Sequence, residues 1–165
     1  MRFTPAALAL SLLVAVTASV GLAAEREPDP RAVVLVEQGR SAQASGDLQG
    51  AIDAFEAALT IDPAYDAVYL DLADAARQQG LQGKAIHYYR ETLEREPSNL
   101  AAISGEGAAL VEKGAVEKAR RNLARLTSLC GGDCAEAQEL SAVIERGPPV
   151  LTAEATGTEP PVTQN

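Results

Sequence analysis

Small and apolar residues recur along this chain at a constant spacing of 34 positions between residues 32 and 133. Four sets of equivalent positions carry the repeat: Gly39, Ala73 and Gly107; Gly46, Gly80 and Gly114; Ala51, Ala85 and Ala119; and Phe55, Tyr89 and Leu123. Pro63 and Pro97 are also 34 residues apart, and each closes one unit. A fixed period of this length is typical of proteins built as stacks of one small structural unit.

Each unit contains two stretches with the apolar spacing of an α-helix. The second stretch of the first unit shows it most clearly, with apolar residues three or four apart at Ala51, Ile52, Phe55, Ala58 and Leu59. The glycine at 46, 80 and 114 separates the two stretches, because glycine readily adopts the left-handed conformation that ends a helix. The prolines stop the second helix. Each unit is therefore predicted to be a pair of antiparallel helices, with a neighbouring helix close to the small residue at 39, 73 and 107.

This arrangement resembles the tetratricopeptide repeat family. The second unit carries the family pattern at Tyr69, Leu72, Ala73, Gly80, Ala85, Tyr89 and Pro97, and the first at Leu35, Gly39, Gly46, Asp47, Ala51, Phe55, Ala58 and Pro63. The chain departs from the pattern where Ala42, Ala76 and Leu110 replace an aromatic residue and where Gln38 and Glu106 replace a leucine. The resemblance implies an all-α fold, a right-handed α-solenoid of three hairpins at residues 32–65, 66–99 and 100–133. It also implies a concave groove that holds a peptide or helix of a partner protein, and no catalysis.

The segments on either side of the repeats have separate predicted roles. Residues 134–146 carry apolar residues at helical spacing and are predicted to form a helix that caps the open end of the stack. Gly147 and the two following prolines end this helix, and residues 147–165 are predicted to be a disordered tail. Residues 25–31 are predicted to be a linker into the first helix.

Residues 1–24 have the layout of a secretory signal peptide. Arg2 precedes an apolar stretch from Ala6 to Val16, and small residues follow up to Ala24, so cleavage is expected after Ala23 or Ala24. A retained membrane anchor is the alternative, but the apolar stretch is shorter than the ~20 residues that a span needs. We therefore expect an exported protein, in the periplasm of a Gram-negative bacterium or secreted, without stable membrane insertion after cleavage.

The chain contains two cysteines, Cys130 and Cys134, on either side of a Gly-Gly-Asp turn. Export places both in an oxidising compartment, so a structural disulfide between them is the main prediction. A thiol–disulfide or metal-handling role for the pair is the alternative. A redox pair usually has two intervening residues, a copper site needs a third ligand that neither His87 nor Met1 is placed to supply, and haem attachment needs a histidine where Ala135 stands.

The charge balance excludes several classes of function. The chain has 14 basic and 23 acidic side chains, for a net charge of −9, which disfavours nucleic acids and anionic membranes as partners. The charges are unevenly distributed along the chain, because the third unit is basic at Lys113, Lys118, Arg120, Arg121 and Arg125.

No catalytic residues, metal ligands or cofactor site can be named.

The predicted function is therefore a non-catalytic scaffold that binds a partner protein, in an envelope assembly or secretion process. In the related family the first helix of each repeat lines the groove. With Leu35, Tyr69 and Ile103 as packing positions, the residues expected to be exposed in the groove are Val33, Val36, Arg40, Gln43, Leu70, Asp74, Arg77, Ser104, Ala108 and Val111. Family members that capture a terminal carboxylate use lysine and asparagine at these places, which this chain lacks. Short repeat stacks can also self-associate through an exposed end.

Overall fold

Seven α-helices and no β-strand are present in residues 26–149, the part of the chain that the computed structural model describes. They are α1 (Pro30–Ala44), α2 (Leu48–Ile61), α3 (Ala67–Gln78), α4 (Gln82–Arg95), α5 (Leu100–Glu112), α6 (Val116–Cys130) and α7 (Ala135–Arg146). The predicted all-α fold is confirmed. The predicted signal peptide and residues 150–165 of the predicted tail lie outside the described residues. Within the described range, every helix is too short or too polar to cross a bilayer.

The same turn joins the two helices of each hairpin. Gly46, Gly80 and Gly114 have positive φ angles of 87°, 81° and 80°. In each turn the amide after the glycine donates to a carbonyl five residues earlier, as Asp47 does to Ala42, and the glycine amide donates three residues back, as Gly46 does to Gln43. This pair of bonds satisfies carbonyl groups at the end of the first helix. The predicted helix-ending role of the three glycines is confirmed.

Short polar side chains begin three of the helices. The Asp29 carboxylate accepts a hydrogen bond from the Arg31 amide, Asp47 accepts from Gly50, and Asn99 accepts from Ala102. These bonds satisfy amide groups that have no partner inside the first turn of a helix. The starts of α1, α2 and α5 are thus specified locally by the sequence.

The helices pack as three hairpins, α1–α2, α3–α4 and α5–α6, which stack in chain order. Adjacent hairpins meet through α2 against α3 and α4 against α5, and α7 packs on both α5 and α6. The largest fully buried side chains are those of Tyr89, Phe55, Ile52, Leu72 and Ile103. Burial of such apolar surface is the main favourable contribution to a fold of this kind.

The small residues at the 34-residue spacing allow close contacts between helices. A Cβ atom on Gly39 would lie 2.5 Å from the ring of Phe55 in α2, and one on Gly107 would lie 2.6 Å from the side chain of Leu140 in α7. Ala73, at the equivalent place in the second hairpin, is fully buried. The prediction that a neighbouring helix passes close to this position is confirmed.

A buried carboxylate holds the segment before α1 against the first hairpin. Asp62, 1% exposed, lies in the turn between α2 and α3. It accepts hydrogen bonds from the Arg26 guanidinium at 2.7 Å and from the Asp29 amide at 2.9 Å. The Asp29 amide and then Arg26 lower the pKa of the Asp62 carboxyl below its usual value. Asp62 therefore remains ionised where these donors surround it.

Candidate functional site

A groove runs between α3 and α7, with α5 forming its floor. It consists of two adjoining cavities of about 350 Å³ and about 730 Å³, both lined in part by Arg77 of α3 and Glu139 of α7. The first helices of the second and third hairpins thus line this groove together with the capping helix. The volume of each cavity is in the range of known ligand-binding clefts.

The smaller cavity has an uncharged floor and mainly acidic walls. Ser104, Gly105 and Ala108 of α5 lie at the floor, while Asp74 of α3 and Glu136 of α7 stand at the sides. The Ser104 hydroxyl donates a hydrogen bond of 3.2 Å to the Glu136 carbonyl oxygen, which ties α7 to α5 at this end of the groove.

Tyr89 supports the acidic wall from below. Its hydroxyl donates a 2.5 Å hydrogen bond to the Asp74 carboxylate, and its ring lies directly beneath Gly105, where no Cβ would fit. Burial, and then the Asp74 charge, raise the pKa of Tyr89 far above its usual value. Burial also raises the pKa of Asp74, although the Tyr89 bond acts in the other direction. Tyr89 therefore stays protonated and holds Asp74 at the groove.

The larger cavity combines an apolar lining with charged groups. Ala142 and Val143 contribute apolar surface, and Arg77 forms a 2.8 Å ion pair with Glu112. Three buried polar atoms in this cavity have no hydrogen-bond partner among the described residues: Arg77 Nε, Glu112 Oε2 and Gln82 Oε1. Such atoms cost free energy unless they are paired. All three belong to residues that line the cavity, although the atoms themselves are covered by protein.

The structure brings five of the predicted groove residues together and leaves five apart. Asp74, Arg77, Ser104, Ala108 and Val111 line the two cavities, whereas Val33, Val36, Arg40, Gln43 and Leu70 line neither. Gln43, Val33 and Leu70 are half-buried along α1 and α3, and Arg40 is exposed. The groove of this chain therefore lies on its second and third hairpins.

The predicted exposure of four groove residues is wrong. Val36 is 1% exposed, Val111 is fully buried, and Ser104 and Ala108 are each 6% exposed. Val36 belongs to the core between the first two hairpins. The other three lie on α5, which packs against α3, α4, α6 and α7 and so has almost no free side. The spacing within α5 could not reveal how many neighbours would surround it.

Arg40 and Arg77, the two arginines predicted to lie in the groove, form ion pairs with different partners. Arg40 binds Asp71 at 2.9 Å and Glu37 at 3.0 Å, while Arg77 binds Glu112. Each arginine thus links its own hairpin to the first helix of the next one.

The contribution of α7 to the site does not follow from the repeat pattern. Glu136, Glu139, Val143 and Arg146 follow one another at intervals of three or four residues, and all four line the groove. That spacing marks one face of a helix, whereas the position of α7 after the third hairpin predicts only a capping role. Leu140 and Ala137 on the buried side do pack into the core, so the helix performs both tasks.

Cys130 and Cys134 connect the end of α6 to the start of α7. Their Sγ atoms lie 2.03 Å apart and their Cα atoms 5.9 Å apart, a Cα separation that suits a disulfide. The Glu136 carboxylate lies within 4.8 Å of both sulfur atoms. While the sulfur atoms are bonded to each other, they offer no thiolate to a metal ion.

The chain matches the family model of the tetratricopeptide repeat over residues 36–99 and again over residues 70–128. No curated protein matches it. Among solved structures, the TPR domain of Sgt2 from Aspergillus fumigatus is 24% identical, with a TM-score of 0.65 over 84% of this chain and 90% of that one. The first TPR of Spaghetti (RPAP3), bound to the HSP90 peptide SRMEEVD, is 24% identical, with a TM-score of 0.63 over 70% and 92%. The TPR2B–pHsp70 complex of yeast Sti1 is 17% identical, with a TM-score of 0.64 over 72% and 98%. Repeat spacing, hairpin packing and these matches agree, and the chain belongs to the tetratricopeptide repeat family.

Proposed function

We propose that this protein is a non-catalytic interaction module that binds a peptide or helical segment of a partner protein in the groove between α3 and α7. The observation that carries the proposal is the lining of the groove, where the apolar surface of Ala142 and Val143 lies beside the charged side chains of Arg77, Glu139 and Arg146. A peptide supplies both amide donors and carbonyl acceptors, and its side chains suit the apolar surface beside them.

Two of the similar structures were solved with bound peptides, one from HSP90 and one from Hsp70. This supports a peptide as the ligand class for the present groove. The acidic HSP90 peptide itself is a poor candidate, because the groove carries Asp74, Glu136 and Glu139 around its smaller cavity. Like charges at close range oppose binding. A neutral or basic segment suits these walls better.

Selection from random peptides displayed on phage tests the proposal. The chain offers a matched pair of exposed alanines, Ala142 in the groove and Ala124 on α6 away from it. Ala142→Arg fills the larger cavity and is expected to weaken binding of the selected peptides by about tenfold or more. Ala124→Arg adds the same side chain elsewhere and should leave binding unchanged. Selection of no peptide by the wild type, or equal binding by both variants, would contradict the proposal.

We place this activity in the cell envelope, in an assembly or secretion process. The support is the signal-peptide layout of residues 1–24, which also makes an oxidised Cys130–Cys134 pair the expected state. Fractionation of cells that express the full chain, with amino-terminal sequencing of the product, tests the location. A product that still begins at Met1 in the cytosol would contradict it.

A thiol–disulfide or metal-handling role is the second candidate, favoured by the carboxylate of Glu136 beside the two sulfur atoms. Reduction would release two thiolates next to a third potential ligand. Titration of free thiols before and after mild reductant separates the candidates. A bond that resists reduction and is dispensable for peptide binding supports the interaction module, whereas an easily cycled pair supports the redox role.

A further inference from the structure

A third cavity, of about 390 Å³, lies where α4 and α6 meet the turn between α5 and α6. Ile86, Leu110 and Ala115 provide apolar surface, and Arg90, Lys113 and Lys118 provide three positive charges. None of the residues that line it also lines the groove. It is therefore a separate feature of the molecule, which the proposed function does not use.

The positive charges of this cavity are largely free to meet a ligand. Its lining contains no carboxylate, and within residues 26–149 neither Lys113 nor Lys118 has an ion-pair partner. Arg90 binds the buried Glu106 through Nε at 2.8 Å, and the same carboxylate also accepts from Asn122 at 2.9 Å. The bond to Glu106 leaves the terminal nitrogens of the Arg90 guanidinium for other contacts.

The positive surface continues along α6. Lys118, Arg121 and Arg125 follow at intervals of three and four residues, which places them on one side of the helix. All three are exposed. The helix carries four basic side chains and one acidic side chain, although the whole chain has a net charge of −9. The positive charge of α6 can attract an acidic ligand, and the apolar cavity beside it can bind an apolar side chain of the same ligand.

We propose that this cavity and the adjoining row on α6 form a second binding site, which takes an acidic segment of a protein. One apolar side chain of the segment enters between Ile86 and Leu110, and its carboxylates meet Lys113 and Lys118. The concave apolar floor favours a peptide over a lipid surface, because it fits a single side chain. The negative charge of the rest of the molecule opposes close approach to a membrane or nucleic acid covered with phosphates.

Lys84 provides a matched control for Lys118. The two lysines are 34 residues apart, at the same position in the second helix of consecutive hairpins, and both are exposed. Only Lys118 lines the cavity. The probe is the capped pentapeptide Glu-Glu-Leu-Glu-Glu, with Gln-Gln-Leu-Gln-Gln as its uncharged counterpart, titrated into the isotope-labelled protein and followed by amide NMR shifts.

The acidic peptide is expected to shift amides in residues 83–90 and 110–118 and to bind more weakly as salt is added. Lys118→Gln should weaken its binding by about two- to fivefold, and Lys84→Gln should not. Equal shifts with the uncharged peptide, equal effects of the two variants, or shifts confined to the groove would overturn the proposal. So would binding to vesicles of phosphatidylglycerol and phosphatidylcholine without any shift from the acidic peptide.

Discussion

Leu140 of α7 packs over Gly107 of α5 so closely that a Cβ atom at residue 107 would lie 2.6 Å from the leucine Cδ2. Leu140 is fully buried in this contact. Glu139 and Val143, on the adjoining side of α7, thereby reach the groove. The absence of a side chain at Gly107 sets the distance between the floor of the groove and one of its walls.

We predict that Gly107→Ala destabilises the protein by about 1 kcal/mol. The added methyl group forces Leu140 to move, and overpacking of this kind destabilises the folded protein by about 1–3 kcal/mol. The better helix propensity of alanine stabilises it by about 1 kcal/mol. Gly83→Ala in α4 has open space around its Cβ and should stabilise by about 0.5–1 kcal/mol. Urea unfolding of both variants measures the difference. Stabilisation by both substitutions would show that Leu140 of α7 does not pack tightly against Gly107.

The buried Asp62 carboxylate should make stability depend on pH in the acidic range. Its pKa is lowered in the folded protein by the Asp29 amide and Arg26, so its contribution is complete above the pKa of the unfolded chain. That contribution is lost as the pH falls through the lower pKa of the folded state. Asp62→Asn should therefore be less stable than the wild type at neutral pH. The difference in stability between the two proteins should become smaller below about pH 4.

The control for this measurement is Asp53→Asn, which changes an exposed aspartate of α2 whose carboxylate accepts a hydrogen bond from Gln49 of the same helix. Thermal unfolding of wild type and both variants over the pH range provides the comparison. The difference in stability between wild type and Asp62→Asn could instead stay constant down to low pH. That result would show that the Arg26 and Asp29 contacts do not stabilise the ionised form of Asp62.

The double substitution of Cys130 and Cys134 by serine is expected to preserve the fold and peptide binding. A disulfide across so short a loop constrains the unfolded chain by only about 2 kcal/mol. Leu140, Ala137 and the Ser104 bond to Glu136 still hold α7 in place. Calorimetry and the peptide assay on the serine variant measure both properties. Loss of binding with the fold intact would assign the cysteines a direct part in function.

The hairpins themselves follow from local sequence information. Gly46, Gly80 and Gly114 each end the first helix of a hairpin. Asp47 begins α2 and Asn99 begins α5 by accepting hydrogen bonds from nearby amides. Apolar residues three or four apart indicate which side of each helix is buried. The 34-residue period then predicts identical units that stack. These features depend on residues close together in the chain, so they can be read without coordinates.

The groove could not be located in this way, because the helices that form its walls and floor meet only after stacking. Helical spacing shows that Val36 and Val111 share a side with polar residues, but it does not show that both valines are buried once the helices stack. It likewise cannot reveal that Arg40 reaches Asp71 while Arg77 reaches Glu112. Contacts between residues far apart in the chain depend on how closely whole helices approach. That approach is set by side-chain volumes on both partners, such as Leu140 against the bare backbone of Gly107.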